Sequence, residues 1–381
     1  MHAAGRRDFP SCVDGPGSRY HNSAACERRK MAVSKLKLTA AVVLWFGFSA
    51  MCTAGAKSAL NHLAPRAGGC ALTLTTVQFL VSLIASVSVC VAARREVPSA
   101  PRELLGVSLA YTLGFLLLNC SLGRLQASFS ETVRGLEPLT SFVLVRLLSA
   151  RGGQLSGASA AALLSVLAGA ALSVWAQPAF DLKGFAFGLL ANCCFSSRAL
   201  LVTLLQDATL RAAPANAQKS GVDPIGLFAA QHSLGLLLLA PAALAAEGTQ
   251  CAVVLASHPK AAHAAGLSAL GFLAYNFLSL YVLLLIDAVS HSVCNTCRRA
   301  VTIVAAAIIF QNAVSPTSAA GIVLIIGGAT AYAIASAAAK KAAATTSHNR
   351  SAPALPAPEA AALLVEEGSG EDVSRAELAK R

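Results

Sequence analysis

The sequence predicts an all-α membrane protein, with ten transmembrane helices in two inverted five-helix repeats. Three observations predict it. Of the 381 residues, 55% are hydrophobic and only 13% are charged, against the ~25% charged that soluble domains carry. Apolar runs recur at the length needed to cross ~30 Å of hydrocarbon, about 20 residues each. Lysine and arginine gather in alternate loops, as they do where topology is set by charge.

The spans fall at about 38–61, 70–93, 103–123, 126–149, 155–176, 183–206, 223–246, 264–286, 289–311 and 317–339. They make one transporter-sized domain over 36–341, with halves at about 38–176 and 183–339. Aromatics are 6% of the chain, so Ala, Leu and Val supply the apolar bulk. Small side chains let helices approach closely where lipid gives no hydrophobic drive to association. The links around Gly123–Leu125 and near Asp287 leave room only for antiparallel neighbours. Gly184-x-x-x-Gly188 reads as a packing face. Gly327-Gly328 on the last span admits a neighbouring helix, from this chain or from a second copy in a homodimer. Trp175 fits an interfacial anchor, and Trp45 sits deep enough to pack inside the bundle. Residues 1–35 are polar and lack the 7–15-residue apolar core of a secretory signal. Both they and the low-complexity stretch 342–381 are expected to be disordered tails.

Orientation follows from the loops. Arg28, Arg29, Lys30, Lys35 and Lys37 precede the first span, and Arg94, Arg95 and Arg102 follow the second. Arg151, Arg211, Lys219, Lys340 and Lys341 lie on the same side, against Arg66, Arg124, Lys183 and Lys260 opposite. Both termini are therefore expected on the cytosolic side. This bracketing also accounts for the net charge of +12 without nucleic acid as a partner. Of the 11 cysteines, most lie inside apolar segments (Cys52, Cys90, Cys120, Cys193, Cys194, Cys294), so they read as small buried residues rather than a disulfide framework. No metal-ligand pattern and no nucleotide loop appears, and no cofactor is expected.

Charges inside spans carry the functional reading, because each costs at least ~2.5–3.5 kcal/mol at the bilayer centre. Arg298 and Arg299 lie ~15 Å into the ninth span, taking ~1.5 Å per residue. Arg134 lies ~12 Å into the fourth. Arg198 is late in the sixth, while Lys57 and Arg146 are near enough to span ends to snorkel. Glu131 and Glu137 flank Arg134 at i−3 and i+3 and are placed to pair with it. Arg298 and Arg299 have no carboxylate on their own helix, with Asp287 the nearest acid. Internal salt bridges compete with an anion site here. The anion site is preferred, since the planar guanidinium fork grips phosphate bidentately. Pro138 would kink the fourth span and free backbone groups beside Arg134.

The fourth and ninth spans also resemble each other: Ser128-Phe-Ser-Glu-Thr-Val-Arg134 against Ser290-His-Ser-Val-Cys-Asn-Thr-Cys-Arg298. Each is the fourth span of a five-span half, and an odd half-length inverts one half relative to the other. A midplane site between inverted repeats is the pattern of secondary transporters.

Three stretches, in order, carry a more specific resemblance. Tyr275-Asn276 through His291, Asn295 and Arg298-Arg299 resembles the Tyr-Asn…Thr-His-x-Val-x-Asn-x-x-Lys-Arg run of the triose-phosphate/phosphate translocators, within the drug/metabolite and nucleotide-sugar transporter superfamily. Ser128-Phe129 through Thr132, Arg134, Leu136, Glu137 and Pro138 resembles that family's Ser-Phe-Thr-His-Thr-Ile-Lys-Ala-Leu-Glu-Pro. Lys183-Gly184-Phe185 through Asn192, Phe195 and Arg198 resembles its Leu-Gly-Phe…Asn-x-x-Phe-x-x-Arg. The resemblance covers about 38–341. It implies exchange of a phosphorylated small-molecule anion by a protein of an organelle membrane, plastid envelope or Golgi/ER, with lipid as its surroundings. It places the phosphate grip on Arg134, Arg298 and Arg299 and the substrate-facing tyrosine on Tyr275, with Arg198, Glu131, Asn295 and His291 completing the expected binding set.

Departures from the family pattern bear on specificity. Phe115 and Leu118 stand where the resemblance puts His and Thr, Glu131 where it puts His, and Thr203 and Leu204 where it puts a lysine pair. These changes remove donors and add apolar surface and one acid. A sugar phosphate, phosphoenolpyruvate or a nucleotide-sugar then fits at least as well as a triose phosphate. The competing classes are a non-transporting scaffold or receptor, and a membrane-embedded enzyme using His291, Glu131 and Asp287. The latter three form no known catalytic pattern, so enzyme activity is not expected.

Overall fold

The computed structural model describes residues 21–348 apart from 68, 96, 99, 149–155, 178–179, 213–221, 284, 287 and 313. Asp287, Arg151 and Lys219 lie outside the described residues, as do residues 1–20 and 349–381 of the expected tails. Every element of regular structure among the described residues is helical, and nine helices there are long and apolar enough to cross a membrane. The chain is an all-α multi-pass membrane protein. Its outward faces carry exposed Val43, Ile84, Leu113, Leu164, Ile308 and Val323, as lipid contact requires.

The first three spans are α1 (His21–Ala67), α2 (Ala71–Ala93) and α3 (Pro101–Arg124). The helix of α1 starts at His21, inside the stretch read from sequence as tail. The fourth predicted span is interrupted, as α4 (Ala127–Arg134) and α5 (Glu137–Leu148). Then follow α6 (Gly157–Trp175), α7 (Leu182–Ala212) and α8 (Pro224–Ala246). A short α9 (Gly248–Ser257) intervenes before α10 (Pro259–Leu283), α11 (Ala288–Ile309) and α12 (Pro316–His348).

Local signals explain most starts. Pro101, Pro224, Pro259 and Pro316 open helices, where a missing N–H costs nothing. Asp223 and Ser156 accept hydrogen bonds from the N–H groups of Gly226 and Ser159, capping α8 and α6. Asp181 does the same for Gly184 at 2.8 Å, and that N–H holds its carboxyl below the usual carboxylate range. The sequence reading missed α9. Gly248 at φ +64° follows the end of α8, and the ten residues that begin with it are helical but too short to span.

The most intimate helix pairs are α1 with α10, α6 with α12, and α3 with α7. Counting α4–α5 as one unit and leaving out the short α9, so that α10 is the eighth unit, the first pair joins units 1 and 8, and the third joins 6 and 3. A shift of five exchanges these two pairs and maps α6–α12 onto itself. The packing of α2 on α10 corresponds in the same way to that of α8 on α3.

Glycines set the closest approaches. A Cβ at Gly55 would meet the Ser268 backbone nitrogen at 2.7 Å, and one at Gly271 the Cys52 backbone nitrogen at 2.7 Å. Gly169 and Gly321 bring α6 and α12 together in the same fashion, and a Cβ on Gly328 would meet Ala162 O at 2.8 Å. The Gly328 face is thus occupied by α6 of the same chain. Gly184 and Gly188 seat α7 against Leu125 and Val133, the packing role expected for them. Trp45 is buried in the bundle, while Trp175 is 87% exposed at the end of α6.

Two expectations are corrected. Cys52, Cys90, Cys120, Cys193, Cys194 and Cys294 are not in disulfides, but Cys70 and Cys251 form one across 181 residues of sequence. Each flanks an apolar run, so only the fold brings them together. Beside the bond, the Glu247 carboxylate accepts from the N–H groups of Leu72 and Thr73 and from the Thr73 hydroxyl, satisfying the first turn of α2. Lys57 does not snorkel. Its Nζ donates to Leu122 O at 2.8 Å and Leu125 O at 2.7 Å, capping the C-terminal end of α3, where a cation is favoured.

Candidate functional site

The site is built on the interruption between α4 and α5. Pro138 has no N–H to give the carbonyl four residues earlier, which is that of Arg134. The helix stops there. Gly135 N–H turns back to Glu131 O and Thr132 O, and α5 restarts with Glu137 in its first turn. A Cβ on Gly135 would strike Ile325 at 2.5 Å, so α12 packs directly against the turn. The orphaned Arg134 carbonyl accepts a hydrogen bond from Arg299 Nη1. Asn192 Nδ2 holds the neighbouring Val133 carbonyl at 2.8 Å. The predicted kink is therefore also the device that attaches α11 to α4.

Arg134, Arg298 and Arg299 are 8%, 5% and 7% exposed, and Glu131 is 4%. Their engagement differs. Arg299 Nη2 pairs with the carboxylate of Glu137 from α5. Arg298 is held by neutral groups: Nε and Nη2 donate to Asn295 Oδ1 at 3.0 and 2.9 Å, and Nη1 to Ser49 Oγ of α1. Its guanidinium carbon lies 5.4 Å from the Tyr275 ring centre and 5.8 Å from that of Trp45. Arg134 lies 5.2 Å over Phe195 of α7, and its buried Nε has no hydrogen-bond partner among the described residues.

Both glutamates expected to pair with Arg134 interact with it electrostatically, but neither makes an ion pair with it among the described residues. The break carries Glu137 away from Arg134 to Arg299, and Glu131 Oε1 instead accepts from Thr53 Oγ1 of α1 at 2.9 Å. Glu131 Oε2 is buried without a hydrogen-bond partner among the described residues.

Of the other predicted site residues, His291 stacks on Trp45 at 4.9 Å and lies 3.2 Å from Ser279 Oγ. Arg198, on α7 with Phe195, sits 4.9 Å over Tyr111 of α3. Phe115 and Leu118 belong to an apolar group with Phe79, Tyr111 and Phe272, so the donor-poor wall expected from sequence is a packed aromatic one. A cavity of about 80 Å³ borders the cluster, lined by Glu131, Glu137, His291, Asn295, Arg299 and the apolar side of α12.

Sequence reasoning missed α1's contribution. Trp45, Ser49, Thr53 and Lys57 recur every fourth residue, one stripe on one helix face. Three of them touch the site directly: Trp45 stacks on His291, Ser49 holds Arg298, and Thr53 holds Glu131. That i, i+4 run of non-aliphatic residues in an apolar span was the available signal.

The Arg299–Glu137 pair makes a testable structural claim. Glu137→Ala leaves a buried guanidinium without its carboxylate, and the expected destabilisation is about 3–5 kcal/mol. Thermal unfolding in detergent checks it. A midpoint unchanged from wild type would show that the pair holds nothing together.

These features define a polytopic helical membrane protein with a buried cationic cluster at the break between α4 and α5. The chain belongs to the Triose-phosphate Transporter family, whose pattern matches residues 36–333. It is 29% identical over 233 residues to phosphoenolpyruvate/phosphate translocator 2 of Arabidopsis thaliana chloroplasts, covering 58% of this chain and 57% of that one. It is 29% identical over 266 residues to translocator 1 of the same plant, covering 65% and 60%. Against the triose phosphate/phosphate translocator of non-green plastids from Brassica oleracea var. botrytis it is 29% identical over 266 residues, covering 65% and 61%. The chain thus spans about three fifths of the length of these relatives.

Proposed function

We propose that this chain is a secondary exchanger, not an enzyme. It carries a phosphorylated organic anion (a sugar phosphate, phosphoenolpyruvate or a nucleotide-sugar) against phosphate or a nucleoside monophosphate. The observation that carries this reading is Arg298, buried beside Arg134 and hydrogen-bonded, among the described residues, to neutral groups. A charge kept that way in a bilayer is costly without an anion to meet it. Family membership and relatives named as phosphate translocators support the same reading.

In this reading Arg134 and Arg298 grip the phosphoryl group, Arg299 locks α11 to the α4 break, and Tyr275 and Asn295 orient Arg298. Arg198 draws the anion in from the adjacent vestibule. With α4 and α5 counted as one interrupted crossing, the chain makes ten. The halves then run in opposite directions and rock about the site.

Three arginines and two glutamates leave the cluster one formal positive charge in excess. Closing it empty costs at least ~2.5–3.5 kcal/mol, which slows the empty return on the order of a hundredfold and enforces exchange.

The same topology puts both termini on the Lys/Arg-rich, cytosol-equivalent side and Cys70–Cys251 on the other. The chloroplast names of the relatives make a plastid envelope the proposed location. Counter-flow in liposomes tests the function. Vesicles preloaded with phosphate, nucleoside monophosphates or sugar phosphates should support uptake of labelled phosphate or phosphorylated compound. Uptake of none of them under any preload contradicts it.

A further inference from the structure

The exchanger reading leaves open which phosphorylated compounds the site admits, and Glu131 bears on that. It is a carboxylate in the lining of the cavity beside the cationic cluster. One oxygen is fixed by Thr53 of α1, and the other is buried without a partner among the described residues. Arg134 on its own helix, Arg298 on α11 and Cys52 on α1 interact with it electrostatically. The second carboxylate, Glu137, is committed to Arg299.

Charge matching then constrains the guest. Arg299 is already neutralised, so Arg134 and Arg298 are the cations left to meet an incoming anion. Both are needed for the two charges of a phosphate monoester. A substrate with a further carboxylate would bring it to the cavity bordering the cluster, whose charged lining is the Arg299–Glu137 pair, already matched, and Glu131, which is not paired with a cation there among the described residues. Like charges placed together in a desolvated site oppose binding strongly. A hydroxyl in the same place would instead donate a hydrogen bond to Glu131 Oε2 and satisfy an atom that now lacks one.

We propose that Glu131 is a specificity-determining residue. It makes the site select phosphorylated compounds that bear hydroxyls and no second acidic group, and reject phosphorylated carboxylates. The inference rests on the exchanger reading above. It also sets this chain apart from the relatives named for phosphoenolpyruvate, a compound with a carboxylate beside its phosphate.

Glycerol 3-phosphate and 3-phosphoglycerate form a matched pair of probes, differing in a CH₂OH or a carboxylate at one end of the same skeleton. Liposomes holding the full chain and preloaded with phosphate are given each labelled compound. The wild type is expected to take up glycerol 3-phosphate at least tenfold faster, about 1.4 kcal/mol of discrimination. In Glu131→Gln that ratio should fall toward unity. Equal uptake by the wild type, a preference for 3-phosphoglycerate, or an unchanged ratio in Glu131→Gln overturns the proposal. The wild-type ratio stands as a test even where the variant does not fold. Failure of every phosphorylated compound, including both probes, to exchange with phosphate would instead overturn the exchanger reading beneath it.

Discussion

Replacing Arg298 with alanine is expected to lower exchange of phosphorylated substrate by about a hundredfold or more. Its guanidinium is aimed by Asn295 and Ser49 and backed by the Tyr275 and Trp45 rings, all within the bundle. Removing one partner of a buried, charge-assisted contact costs about 2–5 kcal/mol, and each 1.4 kcal/mol is a factor of ten. Arg298→Lys keeps the charge but loses the fork that meets Asn295 and an anion together, so it should recover only part of the loss. The fold should tolerate the change, because Arg298 has no carboxylate partner among the described residues to be stranded. Exchange in liposomes, read beside size-exclusion profiles, separates this from misfolding. Wild-type rates in Arg298→Ala would remove Arg298 from the site.

Gly271→Leu is expected to disrupt the fold itself. Its Cβ alone would lie 2.7 Å from the Cys52 backbone nitrogen and 2.9 Å from the Phe48 carbonyl oxygen. Backbone cannot move aside as a side chain can, so α1 and α10 must separate. Overpacking a core costs about 1–3 kcal/mol, and a clash with backbone sits at or beyond the upper end. Separation would also pull Ser49 and Thr53 away from Arg298 and Glu131. Gly266→Leu, on the same helix but facing open space, is the control and should leave the melting temperature unchanged. Equal melting of the two variants would mean that α1 and α10 do not cross as closely as described.

What was legible in the sequence followed from local physics. Length and polarity gave the spans, because a backbone in lipid must satisfy itself within helices. Pro138 marked the break, because its missing N–H is a property of one residue. Arg134, Arg298 and Arg299 stood out by the cost of charge at depth. Partner choice was not legible in this way. That Glu137 would serve Arg299 and not Arg134 depends on how far the break swings α5, which i±3 spacing on a continuous helix cannot express. The Cys70–Cys251 bond joins positions 181 residues apart, so no neighbourhood in sequence announces it. Ser49 and Thr53 look like ordinary small polar residues until α1 is packed against α11 and α4. The Asn192, Phe195 and Arg198 stretch shows the middle case. Its spacing marked it out, but only the fold gives the parts their tasks: holding the Val133 carbonyl, backing Arg134 and stacking on Tyr111.

The central claim is that an anion bound at Arg134 and Arg298 is what lets the two halves exchange positions. Trans-loading tests it most directly. Uptake of labelled phosphate is measured into liposomes that hold glycerol 3-phosphate and into liposomes that hold buffer alone, for the wild type and for the Arg134→Ala/Arg298→Ala double variant. The account predicts uptake on the order of a hundredfold faster into loaded vesicles with the wild type, and none above background with the variant. Uptake by the wild type that is equally fast into loaded and empty vesicles, or that survives loss of both arginines, would contradict it.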